Sequence, residues 1–202
     1  MNHILKNNNM EYSITKTKRN AIILSSVFLI LHVIISRLYY LICSPTNIDT
    51  IPAMVVNIIW IIPFGYLMLS FYDFFGYYKL KVLQISILTI LIMEVIFKAR
   101  LFTNIFESTW QRSVFFSTHV IWIIVTIILI VLLSMKKMKD YQGALSIRNY
   151  AISKFVIFIL AGTIPFFVKP ANALDAQLLF GLTWVIPFVF TIVFARKVYY
   201  KE

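Results

Sequence analysis

Six apolar stretches, at 21–43, 51–72, 80–97, 114–135, 150–168 and 176–195, take up most of this chain. Each is close to the roughly 20 residues a helix needs to cross the hydrocarbon core of a membrane. Runs such as Ile121 to Leu133 do not alternate apolar with polar, as a transmembrane β-strand would. In lipid every backbone amide needs a partner within the protein, and helices supply it locally. A soluble helical core is a poor alternative, because 60% of the side chains are hydrophobic and the mean hydropathy is +0.85. The long runs also lack the polar face that soluble helices carry. The expected fold is therefore all-α, a polytopic bundle of six transmembrane helices. It divides into an N-terminal tail at 1–20, a membrane domain at 21–197 and a C-terminal tail at 198–202.

The net charge of +11 does not read as a nucleic-acid surface, because the basic residues gather at the ends of the apolar runs. With the N-terminus in the cytoplasm, the inner side holds Lys6, Lys16, Lys18, Arg19, Lys79, Lys81, Lys136, Lys137, Lys139, Arg148, Lys154, Arg196, Lys197 and Lys201, whereas the outer connection 44–50 holds none. Counting positive charge on the inner side gives both termini inside. The expected location is a plasma membrane of bacterial type, with the lipid bilayer as first partner. The first apolar run is too long, and too poor in small residues at its far end, for a cleavable signal, so it reads as a retained anchor. Cys43 is the only cysteine, which excludes an intrachain disulfide and a two-thiol redox site.

Two segments resemble each other, Trp60-Ile-Ile-Pro63-Phe64 and Trp184-Val-Ile-Pro187-Phe188. Whether or not they reflect duplication, each proline removes a backbone hydrogen bond, so helices 2 and 6 are expected to kink and free carbonyls near Ile59 and Thr183. The chain has only five glycines, which speaks mildly against helices that slide past one another.

Ionisable residues inside spans are costly and mark function by default. Helix 1 carries His32 and Arg37, helix 3 carries Glu94 with Lys98, and helix 4 carries Arg112 with His119. Glu94 and Lys98, four apart, share a helical face in the favourable order. Arg112 and His119, seven apart, share another, which Trp122 and Thr126 continue. Helices 3 and 4 are consecutive and should form a hairpin that brings these groups into one outward-facing cluster. Lys98, Arg100 and Arg112 can reach the outer headgroups by snorkelling, together with Arg37, and so read as a ligand-binding rim. Glu94 and His119 lie deeper and read as the floor of a site, catalytic only if the protein is an enzyme.

No metal-binding motif, glycine-rich phosphate loop or nucleophile elbow is present, and no cofactor is expected. Three functions remain. The first is a binding or accessory role toward a membrane or secreted protein, a peptide or an anionic lipid headgroup. The second is an enzyme acting on a lipid-linked substrate, with Glu94 and His119 in acid–base roles. The third is a small transporter component, suggested by the two prolines and the possible repeat.

Overall fold

The computed structural model describes residues 11–42, 50–100, 109–167 and 180–199, with side chains described over 11–39, 59–97, 116–163 and 180–199. Among the described residues the main helices are, in order, α1 (Lys16–Ile42), α2 (Thr50–Tyr77), α3 (Lys81–Arg100), α4 (Thr109–Ser134), α5 (Ala144–Phe167) and α6 (Val185–Lys197), with a short 3-10 helix, Lys136–Asp140, between α4 and α5. Each helix packs on its neighbours in the chain, and α6 closes back on α1, so the six form a ring in sequence order. Among the described residues, five stretches are long and apolar enough to cross a membrane: Lys16–Tyr39, Ile59–Tyr77, Phe116–Ser134, Ala144–Thr163 and Phe180–Lys197. These are the features of a multi-pass membrane protein.

The ring has no open centre at its α2 side. Residues Trp60, Phe64, Leu67, Phe71 and Phe74 recur at helical spacing on α2 and are all buried. Phe71 meets Tyr150 of α5 at 5.5 Å between ring centres and Phe194 of α6 at 5.1 Å, so α2 fills the space between helices that do not neighbour it in the chain. Outward-facing Leu24, Ile62, Ile85 and Phe116 are exposed, as expected of side chains whose solvent is lipid.

Three boundaries differ from the sequence reading. Helix α1 begins at Lys16, within the expected tail, and Tyr12 and Ile14 before it are buried. The Ile14 amide donates to the Val198 carbonyl at 3.1 Å, and Val198, expected in the C-terminal tail, is buried with it. Helix α5 begins at Ala144 and not at residue 150, because Gly143 adopts φ +100 and ends the preceding connection there. The third difference is in the last span. The expected kink at Pro187 is an interruption: 183 and 184 form a turn, α6 starts at Val185, and Pro187 falls in its first turn. The Thr183 carbonyl, which Pro187 cannot satisfy, accepts the Ile186 amide at 2.9 Å. Pro63, by contrast, lies inside α2, so the two similar segments occupy different structural positions.

A tyrosine-rich cap closes the end where α2 meets α3. The helix stops in a Schellman motif: the Leu80 amide donates to the Phe75 carbonyl at 2.9 Å and the Lys79 amide to the Gly76 carbonyl at 3.0 Å, with Lys79 at φ 57. Tyr78, the residue just after the helix end, accepts the Tyr12 amide at its hydroxyl at 3.0 Å, and its ring centre lies 4.3 Å from that of Tyr141. Lys18 pairs with Asp73 at 2.7 Å, and the Arg19 guanidinium lies 4.1 Å from the Tyr199 ring centre. Burial raises the hydroxyl pKa of both Tyr12 and Tyr78 above the ordinary tyrosine value.

Candidate functional site

Buried positions on α5 recur at Ala144, Ile147, Tyr150, Ala151, Lys154 and Ile157, a stripe of three- and four-residue steps. Lys154 thus takes a core position, about 15 Å along the helix from Ala144 at 1.5 Å per residue. On α3 the buried stripe Leu83, Ile87, Ile90 and Glu94 ends in an acid. The two charges meet: the Lys154 ammonium donates to the Glu94 carboxylate, with 7% and 11% of their side chains exposed.

Aromatic rings surround this pair. The Lys154 Nζ lies 4.6 Å from the ring centre of Phe64 and 5.9 Å from those of both Trp122 and Tyr150. A cation over ring faces is attracted by their negative quadrupoles, which compensates part of the hydration it has lost. The buried stripe of α4 is polar toward one end, with Thr118, Trp122 and Thr126, and apolar toward the other, with Leu129 and Leu133. Two buried polar atoms beside the pair, Trp122 Nε1 and the Tyr150 hydroxyl, and a third about one turn along α4, Thr126 Oγ1, have no hydrogen-bond partner among the described residues. Groups of this kind are rare in folded interiors and ask for a water, an ion or a ligand atom.

His119 lies next to this region. Its ring centre is 4.3 Å from that of Phe97 and 5.8 Å from that of Phe158, residues one turn beyond Glu94 and Lys154 respectively. Phe158 also packs on Trp122 at 4.9 Å. The structure therefore brings Glu94 and His119 to one region of the bundle, with an aromatic layer beside the ion pair. Glu94 has an interhelical partner in Lys154, where sequence spacing pointed to Lys98 on its own helix. Lys98 and Arg100 in α3, and Arg112 in α4, have side chains outside the described residues.

Arg37 belongs to a different interface. A Cβ added at Gly181 would lie 2.7 Å from Arg37 Cδ and Cζ, so the guanidinium of α1 packs directly on the backbone just before the interruption in the last span. The same pair of helices is joined deeper by Ser26 and Thr191, both fully buried and hydrogen-bonded to each other. Ser26, and not its neighbour Ser25, faces α6. The position is in phase with buried Ile22 and Leu29.

Lys154 is the functional candidate that sequence reasoning passed over. Sequence reasoning groups it with the basic residues expected to set orientation, but it stands inside a stretch long and apolar enough to cross a membrane. Its phase with Ile147 and Tyr150 was the available clue. Among the described residues no three of His, Cys, Asp and Glu gather as a metal site would require. No family model matches the chain, and neither a curated protein nor a solved structure is significantly similar to it. Its chemistry must therefore be argued from this interior alone.

Proposed function

We propose that the protein is an integral membrane binding or accessory protein that crosses the membrane six times, with α3 as the span that completes the set and both termini in the cytoplasm. Lys98, Arg100 and Arg112 form the rim of an outward-facing mouth that takes an anionic or polar group of a partner protein, a peptide or a lipid headgroup. The observation that supports this reading is the Glu94–Lys154 pair with three hydrogen-bonding atoms, on Trp122, Thr126 and Tyr150, left unused around it. Desolvating two charges is expensive, and an apolar pair of equal volume is often as stable, so a retained pair needs a reason beyond stability. A polar floor whose hydrogen-bonding capacity is only partly used is such a reason.

Site-specific photocrosslinking in native membranes tests the reading. A photoreactive residue at Arg100 or Arg112 is expected to give a discrete adduct that Lys154→Met suppresses. The same adducts from Ile62, an exposed lipid-facing position on α2, would overturn it. Orientation is tested in a Cys43→Ser background: a single cysteine at Asn47 should react with an impermeant maleimide in intact cells, and one at Lys139 only after lysis.

A second reading, a small transporter component, is favoured by the interrupted last span with Arg37 packed against Gly181. Broken spans are where transporters place their substrates. Substrate-dependent uptake by proteoliposomes holding only this chain would decide for it. The enzyme reading, with Glu94 and His119 as acid and base, gains less from the geometry, since the Glu94 carboxylate is already engaged by Lys154.

A further inference from the structure

On the outside of the ring, α5 and the last span leave a groove of about 430 Å³ between them. Its walls are apolar, with Val156 and Leu160 on one side and Ile186 and Phe190 on the other, and three of these four are exposed to the surroundings of the bundle. Asn149 lines one end. From Asn149 to Leu160 the groove runs about 16 Å along α5 at 1.5 Å per residue. That is close to half of the roughly 30 Å hydrocarbon core, the depth of a single leaflet.

The Asn149 end is also the basic end of the bundle. Arg148, next to Asn149, donates from Nη2 to Asn149 Oδ1 at 3.4 Å, while its Nε is buried without a hydrogen-bond partner. Arg196 and Lys197 lie exposed in the last turn of α6, and Lys136, Lys137 and Lys139 are exposed on the 3-10 helix. A guanidinium held by Asn149 at the end of an apolar channel one leaflet long matches the two parts of a single molecule. We infer that this groove holds one acyl chain of an anionic phospholipid, whose phosphate is bound by Arg148 and Asn149. Basic pockets between spans on the cytoplasmic side are where anionic headgroups bind. The inference depends on the chain spanning a membrane, but not on the outer mouth formed by Arg100 and Arg112, so either can fail without the other.

Native mass spectrometry of the full chain, released from nanodiscs of phosphatidylglycerol mixed with phosphatidylcholine, tests it. The expected result is one retained phosphatidylglycerol per protein in preference to phosphatidylcholine. Arg148→Gln should weaken this retention roughly tenfold, as loss of a charge-assisted hydrogen bond implies. Lys81→Gln, a charge change at the start of α3 and away from the groove, should leave it intact. Val156→Trp should fill the groove and abolish retention. If that variant fails to fold, a diazirine-bearing phosphatidylglycerol on the unaltered chain serves instead, and its label is expected within 149–160. Equal retention of the two lipids, no effect of Arg148→Gln, label distributed over all spans, or a dimer that Val156→Trp dissociates would each overturn the assignment.

Discussion

Lys154 and Glu94, 60 residues apart in the chain, form an ion pair between α5 and α3 inside the ring. Neither helix neighbours the other in sequence order, so the pair ties the ring across α4, the helix that packs on both. Trp122 and Thr126 of α4 lie on the buried stripe facing this tie, and Phe64 of α2 covers the ammonium from the other side. Four helices thus converge on one buried pair of charges, and packing, charge and any ligand chemistry are coupled there.

The coupling has a thermodynamic signature. Glu94→Gln or Lys154→Met alone leaves a buried charge without its counterpart and should cost about 3 to 5 kcal/mol, whereas the double replacement should recover most of that loss. Thermal unfolding in a mild detergent, arranged as a double-mutant cycle, measures this. Simple additivity of the two single effects would mean that the charges do not depend on each other.

Five of the expected spans were legible because a membrane leaves so few options for the backbone, and each overlaps a stretch of the structure long and apolar enough to cross. The sequence was less informative about where helices start. The second turn of α5 contains Arg148 and Asn149, which look like connection residues, and the boundary is set by a backbone angle at Gly143 that composition does not reveal. A span starting at 150 puts Lys154 near its inner end, where it reads as a topology signal, whereas a start at Ala144 puts it nearly three turns inside the helix. Partner choice was less legible still, since Lys98 is close to Glu94 in sequence but Lys154 meets it only once six helices have closed. Pro187 shows the same limit. Its missing donor was foreseen, but whether a helix kinks or stops depends on the neighbours, here Arg37 packed against Gly181.

Gly143 and Gly162 should respond in opposite ways to alanine. A Cβ at Gly143 would sit 2.6 Å from Val198 Cγ1 and 3.1 Å from Phe194 on a backbone with φ +100, whereas at Gly162 nothing lies within 4 Å. Gly143→Ala is expected to destabilise by about 1 to 3 kcal/mol through strain and displaced packing. Gly162→Ala should be neutral or stabilise by up to about 1 kcal/mol by restricting the unfolded chain. Melting temperatures of the two variants, compared with the parent, give the answer.

Lys79 occupies the position in the α2–α3 turn where a left-handed backbone favours glycine. Replacing it should relieve about 1 kcal/mol of strain, so Lys79→Gly is expected to raise the melting temperature despite the loss of a basic residue. A lower value would show that the lysine side chain contributes more than its backbone costs.

Between α1 and α6, Thr191→Val keeps the shape of the side chain and removes its hydroxyl. Ser26 retains its bond to the Ile22 carbonyl at 2.7 Å, so no buried donor is left without an acceptor. The expected cost is about 0.6 kcal/mol, the average for such contacts between spans. A loss of more than about 2 kcal/mol would indicate that the pair does more than join two helices.

The docked N-terminal segment should respond to alkaline pH. Burial holds the hydroxyls of Tyr12 and Tyr78 above the unperturbed value of 10.0, since it penalises the phenolate. When the segment undocks, Tyr12 and Tyr78 regain water and ionise near that ordinary value. The docked state is thus fully favoured below pH 10.0 and loses its advantage as pH rises through the higher docked values. A spin label at the exposed position Ser13, in a Cys43→Ser background, should become more mobile as pH rises from about 9 to about 11. Tyr12→Phe removes one of the two ionisations and should make that rise shallower. Tyr78→Phe also removes the acceptor of the Tyr12 amide, so its label should be more mobile at every pH. A label whose mobility stays constant across the range in the parent protein would show that these two hydroxyls do not control docking.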